Sequence, residues 1–202
     1  MLCTWCGAVQ PPDRAADHFG VFGLPRKFEL DVADLERRYK EMTKVLHPDR
    51  FARADGRARR ASLERSVQLN TAWRTLSQPA ARAEYLLSLQ GIEVGDPAGS
   101  KLADESGDRA TQPVDTALLI EVMELREALA EARAGGDRAK VASLVAGVQA
   151  HHDKEMAEVA AGFAAEKPNL AGLAAHLVAA RYYRRFFEEA EPRGEGEEGP
   201  AK

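Results

Sequence analysis

The tripeptide His47–Pro48–Asp49 places an imidazole and a carboxylate two positions apart. Such a pair could move protons in an enzyme, but a general base also needs a pocket and an oriented partner. Pro48 has no backbone N–H and disfavours the helical conformation in the residue before it, so the tripeptide should form a turn. An exposed turn provides no such pocket. We therefore expect a recognition element in a protein that is not an enzyme.

A helix should lead into this turn and end near Leu46, because Pro48 cannot continue it. Asp31 is a suitable N-cap for its first turn. Apolar residues then recur at every third or fourth position, which is the period of a helix with one buried face. These residues are Val32, Leu35, Tyr39, Met42 and Leu46.

The opposite face of this helix carries Arg37, Lys40 and Lys44, given a rotation of about 100° per residue. Such a basic stripe is either an ordinary solvated face or a docking surface for an acidic partner. Clustered positive charge speeds encounter with such a partner and sets its orientation. Because the stripe ends beside the turn, the docking surface is the favoured interpretation.

A second helical pattern follows the turn, and Pro79 ends it. Two helices with facing apolar stripes and a connection of about a dozen residues should pack antiparallel, as helical hairpins do. Phe51 is expected to pack into the end of the hairpin and fix the turn. The apolar stripe of the second helix comprises Leu69, Ala72, Trp73 and Leu76.

Composition limits the class of protein. The chain has 202 residues, of which 45% are hydrophobic and 30% charged, as in one or two globular domains. A net charge of −4 argues against a nucleic-acid-binding protein. No apolar run is long enough to span a membrane, and the first residues lack the apolar core of a signal peptide. Two cysteines without a disulfide framework favour a cytoplasmic location.

Three further helical patterns lie in the second half of the chain, at about 115–134, 137–166 and 169–190. Their lengths and short loops predict an antiparallel three-helix bundle. Glycines and prolines cluster at 95–113, which predicts a linker or exposed loop. The glycine-rich acidic end, 191–202, should be disordered. No strand pattern competes, so the expected fold class is all-α, a helical hairpin joined to a three-helix bundle.

The first helix of this bundle has apolar residues on two faces. One narrow face should be core: Leu118, Val122, Leu125 and Leu129. The other set is expected to point away from the core: Leu119, Ile120 and Met123, with Glu124, Glu127 and Glu131. Apolar side chains ringed by carboxylates are typical of an interface. Alternatively, the third helix covers them, or they are scattered surface residues.

The helical hairpin with its His-Pro-Asp turn resembles a J-domain, and the chain is similar to the HscB family, specialised J-proteins of iron–sulfur cluster assembly. The resemblance covers about residues 17–190. The matching segments are 17–25, 46–51, 69–76, 82–89 with Gly91, 115–117 and 123–127. With the composition, it implies an N-terminal segment (1–16), a J-domain (17–90), a linker (91–114), a scaffold-binding bundle (115–190) and an acidic tail (191–202).

The resemblance implies a co-chaperone with two binding surfaces. His47, Pro48 and Asp49 would stimulate the ATPase of a DnaK/HscA-type chaperone, toward which the basic stripe would steer. The bundle would deliver the iron–sulfur scaffold IscU. A general J-domain co-chaperone with another client is the alternative; a metal-dependent nucleic-acid-binding module is less favoured. The implied scaffold contacts are Leu119, Ile120, Met123, Glu124, Glu127, Glu131 and Tyr182.

Cys3 and Cys6 have the spacing of metal ligands. A structural zinc site needs four ligands, and one CxxC pair supplies two. Some relatives in the resembled family carry two such pairs, and residues 3–19 look like the second of them. We expect a vestigial half-site and otherwise no cofactor. A zinc site completed by another chain, ligands upstream of the given start, and a redox-active pair stay open as alternatives.

Overall fold

The structure, a computed structural model, describes residues 8–13, 15–95 and 115–190. Apart from an isolated β-bridge at Val9, the regular secondary structure of these residues is helical, which confirms the all-α fold class. The chain divides into two compact units, one ending at Gly91 and the other beginning at Ile92. The predicted acidic tail, 191–202, and most of the predicted linker lie outside the described residues.

The described part of the first unit contains four α-helices and one 3₁₀ turn. Aspartates cap three of these helices: Asp17, Asp31 and Asp55 each accept a hydrogen bond from a backbone N–H of the first turn. The helices are α1 (His18–Phe22), α2 (Val32–Leu46), α3 (Gly56–Ser77) and α4 (Pro79–Ser88), and the 3₁₀ turn is Pro48–Phe51.

Helices α2 and α3 form the predicted antiparallel hairpin. The end of α2 meets the start of α3, where the Ser62 hydroxyl donates to the Leu46 carbonyl at 2.7 Å. The middle of α2 meets the later part of α3, where the rings of Tyr39 and Trp73 stack at 4.8 Å. The core beneath them is apolar and fully buried. It includes Phe19, Leu35, Leu46, Leu69, Ala72, Leu76 and Leu87.

Two parts of this unit were not predicted from the periodicity. The sequence predicts Pro79 only as the end of α3, but Pro79 is also the first residue of α4, where a missing N–H costs nothing. A short arm ahead of α1 lies along α3. The Arg65 guanidinium holds this arm by donating to the carbonyls of Gln10 at 3.0 Å and Pro11 at 2.7 Å.

Residues 115–190 of the second unit form a bundle of three helices, α5 (Thr116–Ala134), α6 (Arg138–Ala164) and α7 (Leu170–Ala190). The turn between α5 and α6 uses Gly136 at φ +67°, a conformation that side chains disfavour. Helices α6 and α7 approach closely at Gly162, where an added Cβ would lie 2.3 Å from the Leu173 side chain.

The core of this bundle combines one face of α5 with α6 and the aromatic residues of α7. Residues 92–95 belong to the same unit, since Val94 packs on this core and Arg181 donates to the Val94 and Gly95 carbonyls at 3.2 and 2.8 Å. The buried core residues include Val122, Leu129, Val148, Val178, Tyr182, Tyr183 and Phe186.

The hydroxyl of Ser62 should contribute measurably to stability, because it is fully buried and donates to the last carbonyl of α2. We expect Ser62→Ala to lower the free energy of unfolding by about 0.5–1.5 kcal/mol, the usual net contribution of one hydrogen bond, because Ser66 still donates to the Leu46 carbonyl at 3.3 Å. Urea denaturation checks this. Ser143→Ala, at an exposed position of α6, is the control and should change stability by only a few tenths of a kcal/mol. Equal effects would contradict the assigned role.

Candidate functional site

The tripeptide forms a compact turn at the end of α2. His47 leaves the helix with φ −56° and ψ 129°, and Pro48 begins the 3₁₀ turn. The Asp49 N–H donates to Nδ1 of His47 at 3.3 Å, and the Arg50 N–H donates to the His47 carbonyl at 3.0 Å. Since Nδ1 accepts a hydrogen bond, a neutral ring carries its proton on Nε2 and can donate from there.

Side chains from both sides of the turn donate to backbone carbonyls that have no helical donor at the end of α2. The Lys44 carbonyl would normally accept from the N–H four residues on, which is the position of Pro48. The Arg50 guanidinium donates to this carbonyl instead, at 3.4 Å. Ser62 and Ser66 both donate to the Leu46 carbonyl, at 2.7 and 3.3 Å. Neither serine was predicted, because no periodic pattern marks a contact to the backbone of another helix.

Asp49 lies at the tip of the turn, and its side chain is 89% exposed. One carboxylate oxygen is 3.6 Å from Nδ1 of His47, which is too long for a strong hydrogen bond. The carboxylate is therefore available to a partner. Phe51, at the end of the turn, is half-buried rather than fully enclosed.

The predicted basic stripe is present on the exposed face of α2, but carboxylates of the same helix lie among its cations. Arg37 pairs with Asp34 and with Glu41, and Lys40 pairs with Glu36 at 2.5 Å. Hydrogen bonds from Arg38 and then Arg37 lower the pKa of Asp34. Exposed pairs of this kind are weak and exchange readily with a partner's charges. The net positive charge of the stripe is therefore smaller than its lysines and arginines alone would suggest.

The second candidate surface lies on α5. Ile120 and Met123 are 54% and 61% exposed, as expected for residues that point away from the core. The three glutamates predicted to surround them are exposed as well. An apolar centre with an acidic rim is what the structure presents to solvent on this helix.

Two of the predicted scaffold-contact residues are more buried than the others. Leu119 was expected to point away from the core, and that orientation was wrong: the side chain is partly buried and packs against the core cluster. At about 100° per residue it lies only some 60° from the buried Val122, at the edge of the core face. Tyr182 is 8% exposed and belongs to the core. Its ring offers a partner little area while this packing holds.

Polar contacts hold α5 on the other two helices. The Glu121 carboxylate lies 2.8 Å from Nδ1 of His151 and accepts from the Tyr183 hydroxyl at 3.1 Å. Arg126 pairs with Glu189 at 2.7 Å. Local sequence patterns do not reveal these contacts, because their partners lie 30 to 63 residues apart along the chain.

Tyr183 should make stability fall at high pH. Burial, and then its hydrogen bond to Glu121, raise the pKa of this hydroxyl well above the ordinary value of 10.0. Above about pH 10 the unfolded chain therefore releases a proton that the folded chain retains, so the free energy of unfolding decreases as the pH rises. Tyr183→Phe should make this decrease less steep in urea denaturation between about pH 9 and pH 11. An unchanged slope would contradict the assignment.

The structure does not test the predicted metal site, since Cys3 and Cys6 lie outside the described residues. Residues 8–13, 15–95 and 115–190 contain no group of three or more histidine, cysteine, aspartate or glutamate side chains arranged to hold a metal ion. A zinc ion at the CxxC pair would need ligands from elsewhere and stays a prediction. Within the same ranges, no helix combines the length and apolar content that crossing a membrane requires.

Comparison with known proteins identifies a family for the second unit and relatives for most of the chain. A family model described as the HSCB C-terminal oligomerisation domain matches residues 114–191. A co-chaperone protein HscB homolog of Aromatoleum aromaticum is 35% identical over 144 residues, which cover 71% of this chain and 74% of that protein.

Longer relatives match as well. The iron–sulfur cluster co-chaperone protein HscB of mouse is 35% identical over 132 residues, 65% of this chain and 51% of the relative. The chain thus spans about half the length of the mouse protein. Two solved structures are similar, with TM-scores of 0.79 for human HscB and 0.72 for HscB of Vibrio cholerae. Their sequence identities are 28% and 32%, and the matches cover 94% and 87% of this chain and 87% and 95% of theirs.

Proposed function

The chain belongs to the HscB family, and from this premise we propose that it is a co-chaperone of iron–sulfur cluster assembly. Curated relatives named as iron–sulfur cluster co-chaperones support this proposal. The protein would catalyse no reaction itself and would act by binding two partners. The observation that carries the proposal is the exposed carboxylate of Asp49 on a braced turn. Its low cysteine content favours the cytoplasm as its location.

The first partner would be an ATPase chaperone of the DnaK/HscA type, bound at the turn. An arginine of the chaperone could donate charge-assisted hydrogen bonds to both oxygens of Asp49. His47, whose side chain is 52% exposed, could donate from Nε2 beside it. The contacts of Ser62 and Arg50 hold the turn in place before binding, so little conformational entropy is lost in the complex.

The helix leading to the turn would widen this contact. Lys44 lies one helical turn before His47, followed along α2 toward its start by Lys40 and Arg37. These cations would speed the approach of an acidic chaperone surface and fix its orientation. Faster ATP hydrolysis requires that the co-chaperone bind the hydrolysis-competent state of the chaperone more tightly than other states.

The second partner would be an IscU-type iron–sulfur scaffold, bound on α5. Ile120 and Met123 supply the apolar centre that interfaces need, and Glu124, Glu127 and Glu131 supply a polar rim. Leu119 and Tyr182 would contribute from the edge of the core. A co-chaperone that holds both partners raises the local concentration of the scaffold at the chaperone.

Asp49→Asn tests the turn. The substitution removes one charge of a desolvated pair, which costs about 2–5 kcal/mol of binding and weakens chaperone affinity roughly 30-fold or more. The free energy of unfolding should change by less than about 0.5 kcal/mol, because the side chain is exposed. The measurement is chaperone ATPase rate against co-chaperone concentration.

Asp153→Asn is the matched control, since it removes one exposed carboxylate from α6 and leaves the turn unchanged. It should stimulate the ATPase like the wild-type chain. If Asp49→Asn also does so, Asp49 is not the contact that we assign to it.

Ile120→Ser with Met123→Ser tests the scaffold surface. Both side chains are more than half exposed, so the double variant should keep its melting temperature. Loss of two apolar contacts at the centre of an interface should weaken scaffold binding roughly 10-fold or more. Calorimetric titration of the scaffold protein measures this, and ATPase stimulation without scaffold should be unchanged.

Leu63→Ser with Val67→Ser is the control, because these residues of α3 are 57% and 58% exposed and also lie one helical turn apart. This variant should bind the scaffold normally. Normal binding by the α5 variant would instead indicate that the scaffold uses another surface. ATPase stimulation by a wild-type chain that binds no scaffold would favour a general J-domain co-chaperone with a different client.

A further inference from the structure

Helix α5 rests on α6 and α7 along a narrow apolar strip. Val122 and Leu129 are its fully buried members, while Leu118 and Leu125 are only partly buried. Apolar packing is not directional, so a strip this narrow does not by itself fix the rotation of a helix about its axis. Directional contacts at the two edges of the strip must do so.

Glu121 supplies the contact at one edge. The same carboxylate oxygen lies 2.8 Å from Nδ1 of His151 on α6 and 3.1 Å from the Tyr183 hydroxyl on α7. The His151 ring also contacts the Tyr183 ring edge-on, with centroids 5.6 Å apart. One oxygen therefore connects all three helices.

Arg126 supplies the contact at the other edge. It pairs with Glu189 of α7 at 2.7 Å, and Arg133 donates to the Glu189 carbonyl at 2.7 Å. At about 100° per residue, Glu121 and Arg126 lie some 140° apart around α5, with the buried strip between them. Rotation of the helix in either direction would have to break one of these contacts.

We propose that Glu121 is a positioning residue for scaffold binding, which fixes the rotation of α5 through His151 and Tyr183 and so directs Ile120 and Met123 toward the partner. A rotation of about 30° would move a side-chain end at a radius of about 5 Å by roughly 2.5 Å, enough to spoil a packed contact. The inference rests on the scaffold-binding role proposed above, and it assigns to Glu121 no contact with the scaffold itself.

Two variants remove the same contacts from opposite sides. Glu121→Ala removes the acceptor, and His151→Ala with Tyr183→Phe removes both donors while keeping Glu121. Each should weaken binding of the purified scaffold protein to the full chain by roughly fivefold or more in calorimetric titration, the equivalent of one or two hydrogen bonds. Glu121→Gln, which still accepts from Tyr183, should lose less. ATPase stimulation in the absence of scaffold should be the same for all of them.

The ultraviolet absorbance of Tyr183 reports on its contact with Glu121, and it can be measured in the absence of the scaffold. Because Glu121 helps to raise the pKa of Tyr183, Glu121→Ala should let this hydroxyl ionise at lower pH in an ultraviolet titration. Tyr183→Phe lacks this hydroxyl, so the part of the titration curve that it loses is the signal of Tyr183. His176→Ala is the matched control: it breaks a 2.6 Å contact to Glu155 between α6 and α7 that does not involve α5, and scaffold affinity should stay within about twofold.

Each outcome has one interpretation. If Glu121→Ala weakens binding and the His151 and Tyr183 double variant does not, Glu121 contacts the scaffold directly and the positioning role is overturned. If both bind like the wild-type chain, the rotation of α5 does not depend on Glu121, and the inference fails while the proposed function stands. If the wild-type chain binds no scaffold, the scaffold-binding function fails and this inference fails with it.

Discussion

The absence of an N–H at Pro48 is the constraint on which the first unit depends. It ends α2 at Leu46 and deprives the Lys44 carbonyl of its helical donor. The Arg50 side chain in the turn donates to that carbonyl, and Ser62 of α3 donates to the carbonyl of Leu46, where the helix ends. Because these donors come from different parts of the hairpin, the turn can hold its shape only when the hairpin is folded. The fold thus produces a rigid exposed tip.

The second unit presents its surface by a different means. Helix α5 buries one narrow strip and leaves Ile120 and Met123 in solvent, so the same helix serves as core and as candidate interface. Exposed apolar side chains lower solubility and add nothing to folding, which is why such a patch indicates a partner. The contacts of Glu121 and Arg126 then matter more than usual, because they fix which residues of α5 are exposed.

Periodicity predicted the elements well and their tertiary contacts poorly. Together with Pro48, it placed the end of α2 near Leu46, and the predicted bounds of α6 differ from the observed Arg138–Ala164 by no more than two residues. It misplaced Leu119, which lies at the edge of a face where a 60° difference decides burial. It could not find Ser62 or Glu121, since a hydroxyl or carboxylate that contacts a distant helix looks like any other polar residue in sequence. Such contacts follow from packing and not from local pattern.

The aspartates of the first unit differ in whether their carboxylates accept hydrogen bonds within the chain. The unit has six aspartates, and all lie in its described part. Five of them accept hydrogen bonds from backbone or arginine donors: Asp13, Asp17, Asp31, Asp34 and Asp55. Asp49 instead keeps its carboxylate 89% exposed, and among the described residues its one ionic neighbour is His47 at 3.6 Å. A carboxylate that stabilises nothing in its own chain, on a turn that several other residues hold rigid, is better explained by an external partner than by folding.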